Sequence, residues 1–413
     1  MNRSFIATSV TLLSAALLLT AGSCQKNMTP SPGTSGTGAL RLSAPFVDQT
    51  TTFAFESFRT INAAEGPGTN VFVSPMSLHM ALGMILNGAN GQTAQEIQKT
   101  LRLDAQTLAE ANQTYANLLD ALPRTDPKVT MTLANSVWYR NTFNVEPSFQ
   151  DVLKQTFRAE ISAQNFSDPA TVGRINGWAS ARTNGKIPKV IDQISPENVM
   201  FLLNALYFKG DWKTQFKEDQ TVDMPFTLAN GREKTVRMMR QNVELRRAFK
   251  PTYTAVELPY GNGQFAMTVL RPADNTTADA VLNNLTAAEW KALQSELMPG
   301  KLDFGLPKFT LSYEIKLNET LAKLGMPTAF TDRADFTKIN RNGGLLLSLV
   351  KQNTFVAVDE KGTEAAAVTT GGISVTSVQL PTLCDRPFVV VIHEKTSGAI
   401  LFTGKIADPQ TAP

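Results

Sequence analysis

A run without charge sets the terms for this chain. From Ala365 to Cys384 there is no Asp, Glu, Lys, Arg or His, and the run follows directly on Asp359-Glu360-Lys361-Gly362-Thr363-Glu364. No proline lies between Gly362 and Leu380, so every backbone N–H there can join a strand ladder. Such a stretch is either a buried strand or a segment kept uncharged for a later burial. In a strand, alternate residues share a face. One face reads Thr363, Ala365, Ala367, Thr369, Gly371, Ile373 and Val375, with no charge. The other reads Glu364, Ala366, Val368, Thr370, Gly372, Ser374 and Thr376, with Glu364 as its one charge. A plain strand–turn–strand with Gly371-Gly372 at the turn fits the same residues, so at this point both readings stay open.

The other signals, read from the first residue onward, are ordinary ones. The chain has 413 residues, 42% of them hydrophobic, which is ample for a large core. A net charge of +3 is small for this length and gives no case for nucleic acid. Arg3, an apolar stretch from Ile6 to Thr20, and Ala21-Gly22-Ser23 before Cys24 read as an export signal over residues 1–23. The stretch is too short and lightly flanked for a membrane span. Its small-small-Cys ending resembles a bacterial lipoprotein signal, cut before Cys24. Lipidation of Cys24 would make an outer-membrane, periplasmic or cell-surface lipoprotein. Because an aliphatic residue is usual where Ala21 stands, plain secretion is the alternative. Residues 24–44, rich in Gly, Ser, Thr and Pro, read as a flexible tether. With Cys24 lipidated, Cys384 is left without a partner and reads as a small packing residue.

From Pro45 on, helical patterns cluster early and strands late, without βαβ alternation. That pattern predicts an α+β fold in a single domain over residues 45–413. Ser74-Pro75 reads as a helix start, and Thr93 with Glu96 as a capping box. Residues 171–183 read as a helix and 199–208 as a central buried strand. Residues 314–324 read as a helix, and 345–358 as a strand. His79 and His393, the only histidines, sit in a helix and at a strand end and read as structural. No H-E-x-x-H, G-x-S-x-G or Walker motif occurs. No cofactor or metal is expected, and nothing marks an enzyme.

Several segments together resemble one family, the serpins. They are Asn70-Val-Phe-Val-Ser74-Pro75-Met-Ser77, Asn176-Gly-Trp178, Leu203-Asn204-Ala-Leu-Tyr-Phe-Lys209-Gly210-Asp-Trp212, Leu306-Pro-Lys308-Phe, Gly362-Thr-Glu-Ala-Ala-Ala367 and Asp385-Arg-Pro-Phe-Val-Val-Val-Ile-His-Glu-Lys395. The resemblance implies three β-sheets, eight or nine helices and an exposed reactive-centre loop. It implies irreversible inhibition of serine proteases, and also of papain-like cysteine proteases, by loop cleavage and insertion into the large sheet. The protease would remain as a covalent acyl complex on a monomeric inhibitor. Carried over position by position, the hinge is Glu360, Gly362, Thr363, Glu364, Ala365, Ala366 and Ala367. The cleaved bond is Thr376–Ser377. Thr376, small and β-branched, with the subsite residues Val375 and Ile373 before it, fits a shallow apolar pocket of elastase-like or subtilisin-like enzymes. Ser74, Ser77, Asn204, Trp212, Lys308 and Gln352 fall where the sheet opens, with a Lys308–Glu360 ion pair at its top. The family often has His where Gln352 stands; Gln352 is expected to donate to Asn204 instead. A non-inhibitory serpin acting as a binding module is the alternative, and an enzyme with a concealed site a third reading.

Overall fold

The computed structural model describes residues 42–103, 106–363 and 381–410. The expectations placed on the export signal, on Cys24, on most of the tether, and on Glu364, Ala365, Ala366, Ala367, Ile373, Val375, Thr376 and Ser377 lie outside the described residues.

Nine α-helices occur among the described residues: α1 (Ala44–Ala64), α2 (Pro75–Gly88), α3 (Gly91–Thr100), α4 (Leu108–Ala121), α5 (Pro147–Phe157), α6 (Ala170–Arg182), α7 (Ala278–Asn284), α8 (Ala287–Glu296) and α9 (Asn318–Leu324). None is long and apolar enough to cross a membrane. Local chemistry sets several starts. Ser74 accepts the Ser77 N–H, and Pro75 occupies the first turn of α2, where its missing N–H costs nothing. Thr107 and Glu110 form a reciprocal capping box on α4. The box expected from Thr93 and Glu96 does not form, because α3 begins earlier, at Gly91. The Thr93 hydroxyl accepts the Asp335 N–H at 2.9 Å, and Glu96 accepts from the N–H and hydroxyl of Thr328 at 2.9 and 2.7 Å. Both side chains therefore tie α3 to a distant segment.

The strands form two hydrogen-bonded sheets. The six-stranded sheet runs in the order β10 (Phe309–Lys316), β11 (Lys351–Val358), β12 (Gly362–Thr363), β4 (Met200–Asp211), β2 (Val129–Arg140) and β3 (Glu160–Gln164). The nine-stranded sheet runs β1 (Val71–Val73), β15 (Ile400–Ile406), β14 (Phe388–Glu394), β8 (Phe265–Pro272), β7 (Tyr253–Pro259), β6 (Glu233–Phe249), β9 (Met298–Pro307) and β13 (Thr382–Leu383), with β5 (Val222–Thr227) paired to β6. β6 is long enough to serve two partner sets. Its residues 233–238 pair with β5, residues 238–247 with β9, and residues 246–249 with β7. The third sheet of the α+β architecture is thus the β5–β6–β9–β13 portion, joined to the rest through β6.

Two sequence expectations fail locally. Residues 314–316 belong to β10 rather than to a helix, because they pair with residues 351–353 of β11. There Glu314 meets the Lys351 ammonium at 2.8 Å and the Asn353 amide at 2.7 Å. Residues 345–350 are not a strand, and β11 begins only at Lys351. Gly343 and Gly344 turn the chain with φ of 66° and 73°. Beyond them the Leu347 N–H goes to the Ala329 carbonyl, and the Val350 N–H to the Asn318 side chain.

α1 and α2 pack against the nine-stranded sheet, and a continuous apolar core fills the space between it and the six-stranded sheet. In β4 the even-numbered Leu206 and Phe208 face that core. The odd-numbered Phe201 and Ala205 face α6, where Trp138, Ile175 and Trp178 complete a smaller cluster. This alternation fixes which side of any neighbouring strand faces inward.

Candidate functional site

The site is a seam in the six-stranded sheet. β4 is paired on one side to β2, and β11 on one side to β10. Among the described residues, only the two of β12 are paired between β4 and β11, with Gly362 opposite Asp211, and Thr363 opposite both Gly210 and Val358. Cavities continue the seam below β12. A small one touches Leu206, Phe208, Val356 and Thr363. A second, of about 60 Å³, lies against α6 at Trp178 and Ile191. The largest, of about 360 Å³, is bounded by Met200, Leu202 and Asn204 of β4, by Leu347, and by Leu78 of α2. Leu346 and Leu349 beside it are exposed.

At the top of the seam, Trp212 stacks on Tyr260 with ring centroids 4.5 Å apart. Its indole N–H donates to the Asp359 carbonyl at 2.9 Å, and its backbone N–H to the Lys361 carbonyl at 2.7 Å. Thr363 is buried, and its hydroxyl lies 2.6 Å from the Tyr260 hydroxyl. The Lys308 ammonium and the Glu360 carboxylate are 2.7 Å apart, with the Glu360 side chain only 7% exposed. Thr221 donates a further bond to Glu360 at 2.7 Å. Burial opposes the charge on Glu360, but the bonds from Lys308 and Thr221 outweigh it and hold this carboxyl below its ordinary value. In its neighbour Asp359 burial dominates and raises the carboxyl, despite the N–H groups of Lys361 and Gly362 and the charge of Lys308.

Halfway down lies a polar cluster. The Ser77 hydroxyl donates to Asn204, the Asn204 amide to Asn135 at 2.6 Å, and the Asn135 amide to the Phe157 carbonyl at 2.7 Å. Ser74 donates its hydroxyl to the Leu401 carbonyl at 2.7 Å. Gln352 is engaged differently from the expectation. Its amide forms a two-point pair with the Ser74 backbone, accepting from its N–H and donating to its carbonyl, each at 2.9 Å. That pairing occupies the amide, so Gln352 links β11 to the start of α2 and not to Asn204.

Reactive side chains of the described residues are muted. Cys384 is fully buried, and burial pushes its thiol far up. His79 is buried between the Leu101 carbonyl and the Tyr115 hydroxyl, at 3.0 and 2.9 Å. His393 lies 3.0 Å from the Thr268 hydroxyl. Burial lowers both imidazoles to about 4, so both are neutral at pH 7. Among the described residues no group of three His, Cys, Asp or Glu side chains could hold a metal ion. What the arrangement can do is mechanical: it can admit a strand. Sequence reasoning missed Tyr260, Thr221 and Asn135. Each is an ordinary core or surface residue type, remote in sequence from the hinge, with no motif to mark it.

Comparison with known proteins agrees in extent. A family model described as serpin (serine protease inhibitor) matches residues 48–409. The leukocyte elastase inhibitor of Xenopus laevis is 33% identical over 372 residues, covering 87% of this chain and 98% of the relative. The human leukocyte elastase inhibitor is 31% identical over 378 residues, with 87% and 98% covered. Among solved structures, native tengpin, a thermophilic serpin, superposes with a TM-score of 0.82 at 30% identity, covering 89% of this chain and 95% of tengpin. Human thyroxine-binding globulin complexed with its hormone gives 0.80 at 26%, with 89% and 99% covered. The chain belongs to the serpin family.

Proposed function

We propose that this chain is a suicide-substrate inhibitor of serine endopeptidases with elastase-like or subtilisin-like specificity, extending to papain-like cysteine proteases. One observation carries the reading: the hinge residues Gly362 and Thr363 already form a strand in the seam between β11 and β4. Continuing that register sets residues 364–373 antiparallel to β4, from Lys209 down to Met200. The Thr363 hydroxyl points to the buried Tyr260, so by alternation Ala365, Ala367, Thr369, Gly371 and Ile373 would face the core, and Glu364 the outer side. The uncharged face read from the sequence is thus the one suited to burial. Each ladder bond is worth roughly 0.5–1.5 kcal/mol net, so a full strand bonded on both sides yields on the order of 10 kcal/mol. That is comparable to a domain's stability.

The bond offered is Thr376–Ser377, with Ile373 and Val375 as subsite residues. Cleavage leaves the protease acyl-linked to Thr376, and insertion carries it away from its deacylating geometry. The inhibitory names of the curated relatives support this assignment. We further propose export under the signal of residues 1–23, as a bacterial-type lipoprotein held through Cys24 and the tether, with secretion as the alternative, and action as a monomer.

The test is incubation with pancreatic elastase or subtilisin, followed by denaturing electrophoresis and mass analysis. A complex that survives denaturation and carries a new end at Thr376 is expected. Cleavage with no covalent complex would reject inhibition. The likeness to thyroxine-binding globulin favours a second reading, a non-inhibitory binding module. Under that reading, cleavage leaves thermal stability unchanged.

A further inference from the structure

Two apolar side chains stand out on the surface where β9 begins. Among the described residues Phe249 is 66% exposed and Met298 64%, whereas Val222, Leu346 and Leu349, the other exposed large hydrophobics, reach at most 44%. The two are neighbours. Met298 pairs with Arg247 across β6 and β9, and Phe249 lies two residues further on the same face of β6. Such diagonal partners stand about 7–8 Å apart. The Arg247 guanidinium lies over the Phe249 ring, 5.6 Å from its centre, and enters no ion pair among the described residues. Beside them Lys250 and Glu296 neutralise one another at 2.7 Å.

The tether leaves the fold at the same end. The described chain starts at residue 42, and Ser43 caps α1. α1 runs antiparallel to α8. Arg59 donates to the Leu285 carbonyl at 2.7 Å, just before α8, while Asp48 lies 3.9 Å from Lys291 within it. The first turn of α1 is therefore directed toward the end of α8, and Met298 follows that end by two residues. Arg246 closes the other side. Its Nη2 donates to the Gln294 and Leu297 carbonyls at 3.1 and 3.2 Å, which sets the last residues of β6 against the end of α8. Both ends of the loop proposed to insert lie at the opposite end of β9. β13 pairs with Phe304 and Gly305, and Lys308, just past β9, holds Glu360. Along an extended strand Phe304 is about 20 Å from Met298, and Lys308 about 33 Å.

We infer that Phe249 and Met298 are a lipid-contacting patch that seats the fold on a membrane surface beside its tether, with the loop held on the far side. The inference rests on the anchoring through Cys24 proposed above. Residues 25–41 reach at most about 60 Å when fully extended, so an anchored chain meets the lipid surface at high effective concentration. A patch this small does not hold a free protein, but beside an anchor it selects one orientation. Arg247 adds attraction to anionic headgroups, and salt screens that part.

The test couples the chain from residue 24 onward, through the Cys24 thiol, to maleimide lipids in vesicles. The vesicles are phosphatidylcholine with about one third phosphatidylglycerol. Cys384 is fully buried and does not compete for the maleimide. A photoactivatable lipid in the same vesicles marks the side chains that touch it, and peptide mass analysis locates the mark. Labelling is expected on the peptides that carry Phe249 and Met298. It should fall about tenfold when Phe249→Ser and Met298→Ser are combined. Should that pair misfold, Met298→Gln alone is expected to lower the label about threefold. Label spread evenly over the surface, or unchanged in the variants, overturns the inference. Sedimentation of the uncoupled chain examines the other occupant: a dimer that the paired substitutions dissolve assigns the patch to a second copy and also overturns it. The anchor has a readout of its own, the intact mass of the chain exported by a bacterial host. Absence of acyl mass on Cys24 rejects the anchor, and the coupled-vesicle labelling still decides for or against the patch.

Discussion

Thr363 is the residue on which the proposed insertion turns. It is 3% exposed, hydrogen-bonded to Tyr260, and flanked by strands on both sides. Arginine at this position would have to bury a guanidinium with no carboxylate opposite, and a buried unpaired charge is costly. Thr363→Arg should therefore leave loop cleavage near the parent rate while lowering the yield of covalent complex by roughly tenfold or more. Gel densitometry of cleaved chain against complex measures this, and an unchanged ratio would refute entry through Thr363. The same scale shows what the sequence could and could not reveal. Thr363 and Glu360 were legible because the hinge pattern is local. Tyr260 was not, because its contact with Thr363 spans 103 positions. Gln352 was located but mis-partnered, since the identity of an amide does not say which backbone lies within reach.

Among the elements, β12 depends on a close approach. A Cβ added to Gly362 would come within 2.7 Å of the Asp211 Cα, and backbone cannot yield as a flexible side chain can. Gly362→Ala is expected to expel β12 from the sheet, at a cost of about 1–3 kcal/mol to the parent arrangement. Hydrogen exchange at the Trp212 N–H, which is bonded to the Lys361 carbonyl, reads this directly. Fluorescence of Trp212, stacked on Tyr260, gives a second measure. Exchange as slow as in the parent would show that the sheet absorbs the methyl group. β11 carries the corresponding lesson about legibility. Its apolar pattern continues upstream through residues 345–350, yet the strand starts at Lys351. Periodicity reports which residues suit a sheet; it does not report whether a partner strand is there to pair with them.

For the molecule as a whole, pH provides a separate handle. His79 and His393 are neutral in the fold, with values lowered by burial from 6.5 to about 4. His79 faces the Tyr115 hydroxyl and the Leu101 carbonyl. His393 faces Thr268, the Trp290 ring and the charges of Glu257, Lys395 and Arg246. Between these values the unfolded chain binds protons that the folded chain does not, so stability rises with pH in that window. It is fully present above about 6.5 and lost as pH falls toward 4, at up to about 1.4 kcal/mol per pH unit for each histidine. Chemical unfolding at pH 7, 6 and 5 should show this slope, and His79→Gln should remove about half of it. Equal stability at all three values would contradict the burial of both rings. Cleavage at Thr376 acts on the same scale: it should raise the melting temperature of the whole chain, because the new strand adds ladder bonds through the centre of the six-stranded sheet.

The sequence by itself determined the composition of the run proposed to insert: uncharged, proline-free, with small residues on one alternating face, behind a charged stretch. It could do so because alternation and charge are properties of neighbours along the chain. Tertiary structure decided where Thr363 points, onto the buried Tyr260 hydroxyl. It decided what Gln352 holds, and that the Arg271 guanidinium reaches the Leu383 carbonyl. Those contacts join positions 103, 278 and 112 residues apart. Hydrogen bonds over such separations form only where the packing of whole sheets brings the partners within about 3 Å, and no local pattern encodes that distance.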